Sequence, residues 1–225
     1  MKKQDELLKV FSLNLRNLLS KTNMDYDKLQ EIRLRANSPL IVIYDNKEFF
    51  VTNQMKLSNS NMDPVMINTS EIKETMEYIS NYSLYAFEEE LKQGFITIQG
   101  GHRVGVAGKI VLDEKKIKTM KHISFINIRL SHQIKGCADK VIPYIKTTNL
   151  NDIYHTLIIS PPRCGKTTLL RDMIRQLSDG RAGMEGLSVG VVDERSEIGA
   201  CYMGIPQNDL GIRTDILDCC PKGEG

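Results

Sequence analysis

Residues 4–20 place Leu8, Phe11, Leu15, Leu18 and Leu19 on one helical face, with Lys9, Asn14 and Arg16 elsewhere. Apolar side chains recurring every three to four positions predict an amphipathic helix that packs on the sheet after it. From residue 31 the period changes. Residues 31–36 alternate charged with apolar, and residues 40–44 and 48–52 flank an Asp-Asn-Lys turn, so this stretch predicts strands that include a hairpin. After a polar loop, Ser70 can cap a helix running to about Ile79, Ser83 can cap another, and Gly94 supplies a stop. Residues 95–99 and 102–112 predict two strands joined at Gly100-Gly101, residues 125–130 one more, and residues 137–145 a helix interrupted near Pro143. The glycines at 100, 101, 105 and 108 do not have the Gly-x-Gly-x-x-Gly spacing of a dinucleotide loop and read as bends in a sheet. From Ile153 onward the order becomes strand, glycine-containing loop, helix and strand, the opening of a parallel α/β sheet.

The change of pattern divides the chain. The expected organisation is an α+β N-terminal domain over residues 1–148 and an α/β domain over 149–225, joined near Thr147-Thr148-Asn149. A length of 225 residues suits two small domains, and 30 basic against 28 acidic residues leave no overall field to hold the chain on nucleic acid or anionic lipid. No apolar run is long enough to cross a bilayer, and no apolar leader follows the charged first residues, which points to the cytosol. Cysteines at 137, 164, 201, 219 and 220 lack a Cys-x-x-Cys spacing and read as reduced thiols. Histidines 102, 122, 132 and 155 form no ligand pattern, so no metal cluster is expected.

One segment carries recognisable chemistry. A phosphate-binding loop has glycine, four residues, then Gly-Lys-Ser/Thr, between a buried strand and a helix. Here the run is Ser160, Pro161, Pro162, Arg163, Cys164, Gly165, Lys166, Thr167 and Thr168, with serine where the first glycine usually stands. Prolines 161 and 162 cannot donate an N–H, but the amides from Cys164 to Thr168 can, at the end of the loop where a helix dipole also favours an anion. Residues 156–159 predict the buried strand, and Leu169, Leu170, Ile174 and Leu177 at helical spacing predict the helix. These flanks argue against a chance Gly-Lys-Thr. The reading is a site for ATP with Mg²⁺, in which Lys166 reaches the β and γ phosphates, Thr167 ligates the metal and Thr168 lies near the α phosphate.

Residues 189–192 predict a second buried strand ending in Asp193 and Glu194, followed by Arg195 and Glu197. Carboxylates at the C-terminal end of such a strand fall in the crevice where open α/β sheets bind ligands. Asp193 and Glu194 can hold Mg²⁺ through water or polarise the attacking water, and Asp193 is the carboxylate read as a metal ligand. The pair is either the second acidic motif of a P-loop ATPase or an earlier acidic strand end, and a solvated charged loop is the plain alternative.

With these residues in view, the chain resembles the stage III sporulation protein AA family of spore-forming bacteria, a branch of the secretion-type ATPases. The likeness rests on Glu31-Ile-Arg-Leu-Arg35, Gly100-Gly-His-Arg-Val-Gly105, Ile126-Asn-Ile-Arg129, Gly136-Cys-Ala-Asp139 and the run from Ile159 through Thr168. It continues through Val189-Gly-Val-Val-Asp-Glu-Arg-Ser-Glu197, Gly204-Ile-Pro-Gln-Asn-Asp209, Gly211-Ile-Arg-Thr214 and Asp218-Cys-Cys-Pro221. The resemblance implies a RecA-like P-loop NTPase fold with a parallel sheet behind the α+β domain, and an ATPase whose relatives work as hexameric rings. It implies a cytoplasmic protein, peripheral at the mother-cell membrane facing the forespore, whose partners are its own copies and membrane-embedded stage III channel proteins. It also implies that Asp193, Glu194 and Glu197 match an acidic box of secretion ATPases, and that Arg129, or less closely Arg103, is the N-terminal-domain arginine that reaches the nucleotide. Solvent-facing arginines on sheet edges are the competing reading for both.

Two other classes stay open at this stage. Arginines 33 and 35 leave room for a nucleic-acid-remodelling protein, against which near-zero net charge and the lack of aromatic-interleaved basic motifs count. A nucleotide-switched assembly factor without turnover would keep the same loop. Finally, only one core strand is evident after the P-loop helix, where a doubly wound sheet needs about five. The nucleotide-binding domain is therefore expected to be C-terminally incomplete in these 225 residues and to turn over little ATP.

Overall fold

A computed structural model of the chain describes residues 3–83, 87–113, 116–147, 152–162, 164–180, 185–221 and 223–225. Two compact units result, Met1–Ser131 and His132–Gly225. The first contains α1 (Lys3–Leu8), α2 (Leu13–Lys21), β1 (Leu29–Arg35), β2 (Ser38–Pro39), β3 (Ile41–Tyr44), β4 (Lys47–Val51), β5 (Leu57–Ser58) and β6 (Met66–Ile67). It continues with α3 (Thr69–Ile79), α4 (Glu88–Gln93), β7 (Phe95–Ile98), β8 (His102–Asp113) and β9 (Lys116–Arg129).

Seven of these strands form one antiparallel sheet in the order β5-β4-β3-β1-β9-β8-β7. The two-residue side-chain period divides its faces. Ile32 and Leu34 of β1, Ile126 and Ile128 of β9, Val104 and Val106 of β8 and Ile96 and Ile98 of β7 are buried on one face. They join Leu7, Phe11, Leu15, Leu19, Ile72, Met76 and Ile79 from the helices in one apolar cluster. Each such side chain contributes about 1.5–3 kcal/mol when removed from water. The opposite face carries Glu31, Arg33 and Arg35 with their register partners Arg129, Asn127 and Phe125.

Local chemistry sets the boundaries. The helix expected over residues 4–20 is two helices, because the first ends at Leu8 and Ser12 caps the second. Its Oγ accepts from Leu15 N at 3.4 Å while its own N–H goes to Thr75 Oγ1 at 3.2 Å. Asn68, not Ser70, caps α3, in a reciprocal box with Glu71. The turn at Asp45 and Asn46 has φ of 49° and 61°, as a two-residue hairpin requires. His102 is buried, and its Nδ1 accepts the Ser131 N–H at 3.0 Å where the unit ends.

The second unit contains α5 (Ile142–Ile145), α6 (Lys166–Asp179), β10 (Val189–Asp193) and β11 (Thr214–Asp218). It begins after Ser131, ahead of the boundary expected at 148, because residues 133–139 are hydrogen-bonded to α6 and to Asp209. β10 and β11 pair in parallel from Val189↔Thr214 to Asp193↔Asp218. Among the described residues the parallel sheet is this two-stranded one, not the larger RecA-like sheet expected, and the large sheet of the chain is antiparallel. No described helix is long and apolar enough to cross a membrane.

Candidate nucleotide-binding site

The loop expected to hold phosphate runs into the N-terminus of α6. Gly165 caps that helix at φ 81°, a left-handed conformation that costs other residues roughly 1–2 kcal/mol. A Cβ there would meet nothing within 4 Å, so backbone conformation, not space, selects glycine. The first bond of the turn joins Leu169 N to Gly165 O at 2.9 Å. The N–H groups of Lys166, Thr167 and Thr168 thus precede the helical ladder and stand at its positive end. Lys166 folds back over the loop, and its Nζ donates to the carbonyls of Ser160 and Pro161, both at 2.9 Å. The two prolines lack an N–H, yet here Pro161 contributes its carbonyl. Cys164 and Gly165 are exposed and Thr167 and Thr168 half-buried, while Arg163 lies outside the described residues.

Residues 156–159, expected as a buried strand, are not a strand. Leu157 and Ile159 are 81% and 82% exposed, and only Ile158 packs on the apolar cluster of Ala138, Ile142, Ile145, Met173 and Leu177. A parallel strand buried on both faces needs hydrogen-bonded neighbours, and the described β10 and β11 pair with each other alone.

The acidic loop resolves into two kinds of carboxylate. Asp193 is 3% exposed, and its Oδ1 accepts from Glu197 N at 3.0 Å while Oδ2 accepts from Ile198 N at 2.8 Å and Gly199 N at 3.0 Å. Three charge-assisted bonds make it the anchor of the loop at residues 193–199. Ser196 in that loop and Ala200 just after it have φ of 50° and 48°, and Ser196 Oγ accepts from Cys201 N at 3.1 Å. Glu194 and Glu197 are exposed. Thr167, Asp193 and Glu194 are the residues expected to offer oxygen donors to Mg²⁺. Among the described residues no three His, Cys, Asp or Glu groups converge. Mg²⁺ asks for one or two protein oxygens beside phosphate and water, and of the two carboxylates Asp193 has both oxygens engaged by backbone N–H groups while Glu194 is exposed.

The residues that connect loop and helix escape a reading by periodicity. Arg171 donates from Nε to Ile198 O at 3.0 Å and from Nη2 to Glu197 O at 2.7 Å, tying α6 to the acidic loop. Burial lowers its pKa, partly offset by Asp193, Cys137 and Glu197. One turn on, Asp172 and Arg175 form an ion pair at 2.5 Å with both side chains 1% exposed. Asp172 also accepts from Ala138 N and Gln176 Nε2, each at 2.9 Å, and Gln176 donates to Asp139 Oδ1 at 2.7 Å. Burial alone would raise the Asp172 pKa, but Ala138, Arg175 and Gln176 together outweigh it and hold the carboxyl below its ordinary value. The run at 136–139 is therefore the collar of α6. At the far end, Ser178 Oγ accepts from Arg213 N at 2.7 Å and Asp179 Oδ1 from Ile212 N at 3.1 Å.

Arg129 lies in the first unit. Its side chain is 69% exposed on the open sheet face, with Nε 3.7 Å from Glu31 Oε2, and it pairs in register with Arg103 of β8. Arg103 stacks over the Phe95 ring at 4.1 Å.

A glycine-turned loop feeding a helix N-terminus, with a lysine folded across it, is an arrangement suited to an anion, and in the chain it follows a separate α+β unit. The chain belongs to the stage III sporulation protein AA family: the family model for sporulation stage III, protein AA, matches residues 1–225. Stage III sporulation protein AA of Bacillus subtilis (strain 168) is 38% identical over 222 residues, which are 98% of this chain and 67% of that protein. Among solved structures the chain is similar to the Legionella pneumophila ATPase DotB, at 14% identity and a TM-score of 0.41 over 92% of this chain and 50% of that one. The chain thus spans about half the length of that ATPase.

Proposed function

We propose that this chain belongs to an ATP-binding and hydrolysing motor of the secretion-ATPase type, and that it energises or assembles a membrane channel between mother cell and forespore. The observation that carries the reading is Lys166, at the head of α6, with Nζ 2.9 Å from two loop carbonyls beside a left-handed glycine. A phosphate entering that loop meets the first-turn N–H groups and the ammonium together. Thr167 and the carboxylates after β10 would hold Mg²⁺, which supplies charge neutralisation on the phosphates. Lys166 orients the β and γ phosphates, Glu194 positions water, and Arg129 supplies positive charge from a neighbouring copy in a ring. Membership of a sporulation family supports the setting, the channel proteins as partners and a place at the mother-cell membrane.

One observation favours a second reading, nucleotide-switched assembly with little turnover. Asp193 already accepts three backbone N–H groups, which leaves it less able to serve a metal or water. Steady-state ATP turnover and ATP affinity in the wild type, Lys166→Ala and Glu194→Gln separate the two. The motor reading expects Lys166→Ala to lose both and Glu194→Gln to lose turnover far more than affinity, the mark of a group acting in the transition state. ATP-dependent association without Lys166-dependent turnover would give the switch, and unchanged affinity in Lys166→Ala would remove the site.

A further inference from the structure

The polar face of the seven-stranded sheet is not flat. Where β1, β9 and β8 run side by side, Arg35 pairs in register with Phe125 and Arg33 with Asn127, and on β8 the partners are Ala107 and Gly105. Two long basic side chains and a ring thus stand beside two positions with almost no side chain. The result is a cavity of about 310 Å³ whose walls are Arg33, Arg35 and Phe125 and whose floor is Asn127, Gly105 and Ala107. That volume is the lower end of what holds a small ligand or a side chain of a docked chain.

Three groups in it lack what their chemistry calls for. The Arg35 guanidinium is half-buried and has no acidic partner among the described residues. Phe125 is 47% exposed, on a sheet whose other face buries nearly all its apolar side chains. The buried Asn127 Oδ1 meets no hydrogen-bond donor among the described residues. An occupant that answers all three brings a carboxylate to Arg35, an N–H to Asn127 and apolar surface to Phe125. The same face already holds one carboxylate in this manner. Glu31 lies between Arg33 Nε, in a very short contact, and Arg129 Nε at 3.7 Å.

We propose that this cavity is a docking site for an acidic peptide segment of a partner protein, with one Asp or Glu side chain on Arg35 and a backbone N–H on Asn127 Oδ1. A nucleic-acid strand fits less well. Bases need a run of aromatic faces to stack on, and the cavity offers a single ring, Phe125.

The test is fluorescence anisotropy on the full chain with a labelled Asp/Glu-rich peptide, the same peptide with Asn and Gln in place of the acids, and labelled oligo-dT. The acidic peptide should bind and the neutral one not, with affinity falling as salt rises. Arg35→Glu should weaken binding about tenfold or more, the loss of one charge-assisted contact. Arg35→Gln serves if the charge reversal does not fold, as judged by circular dichroism. Asn127→Leu should lower affinity by a smaller factor, and both variants should keep the ATP affinity of the wild type. Acidic-peptide binding unchanged in Arg35→Gln, no binding at low salt, or oligo-dT bound more tightly through the same arginine would overturn the proposal.

Discussion

The two units solve the same problem with different materials. In the first, a single apolar cluster joins one sheet face to α1, α2, α3 and α4, and charged groups stay on the open face. In the second, the apolar clusters are small, and α6 is buried through Arg171, Asp172, Arg175, Gln176 and Ser178 as well as through Met173, Ile174 and Leu177. An apolar core tolerates exchange among side chains of similar volume, whereas a buried polar network holds only while every member is satisfied. The helix that carries the candidate phosphate loop therefore rests on the more exacting kind of support.

The largest effect is expected where that network is broken from one side. Asp172→Ala leaves Arg175 charged and buried with Asp179, 3.6 Å away, as its remaining acidic partner, a change that costs up to about 3–5 kcal/mol. Hydrogen exchange followed unit by unit should show the second unit opening while the first keeps its protection. Equal loss in both units would mean that the polar network is not the local support described. Leu15→Ala, fully within the apolar cluster of the first unit, should cost about 2–5 kcal/mol there and leave α6 protected.

Acid sharpens the same contrast. The folded Asp172 carboxyl has a lowered pKa, so its contribution is complete above the ordinary carboxylate value of about 4 and is lost as pH falls through the lower folded value. Asp209, lowered chiefly by its hydrogen bond from Lys135, acts in the same direction in the same unit. Exchange protection of α6 should therefore fail at a higher pH than that of β1 and β9, and simultaneous failure would count against it. A smaller effect is expected at Gly211, with φ 89° and Ser178 Cβ 2.5 Å from where a Cβ would stand. Gly211→Ala should cost about 1–3 kcal/mol, read as a lowered melting temperature of the second unit.

What the chain reveals of itself follows the range of the interactions involved. The hairpins at Asp45-Asn46 and Gly100-Gly101 are legible because their turn chemistry is local, and Gly94 ends α4 in the left-handed conformation for the same reason. β11 is not legible, since five residues beginning Thr-Asp and ending Leu-Asp become a strand only through parallel pairing with β10. The Lys-rich first half of β9 is likewise fixed by β8 across the ribbon, as in Lys109↔Lys121. In α6 the apolar period identifies the helix, but the burial of Arg171 and Asp172 depends on residues 138 and 197–198, remote in sequence. The loop itself is legible from Gly165, Lys166 and Thr167. The role of Asp193 as an anchor is not, because its partners are backbone N–H groups that any sequence would offer.

The exposed Cys164 sits inside the loop, one residue before Gly165, and exposed Cys219 lies beyond β11. Buried Cys201, with its pKa raised to about 12 chiefly by burial, should be the slowest thiol of the three near neutral pH. The most direct test of the nucleotide site is site-resolved alkylation by iodoacetamide, read by mass spectrometry with and without ATP and Mg²⁺. The account predicts that nucleotide slows modification of Cys164 several-fold, leaves Cys219 unchanged, and loses its effect in Lys166→Ala. Undiminished alkylation of Cys164 at saturating ATP, or protection that survives Lys166→Ala, would contradict it.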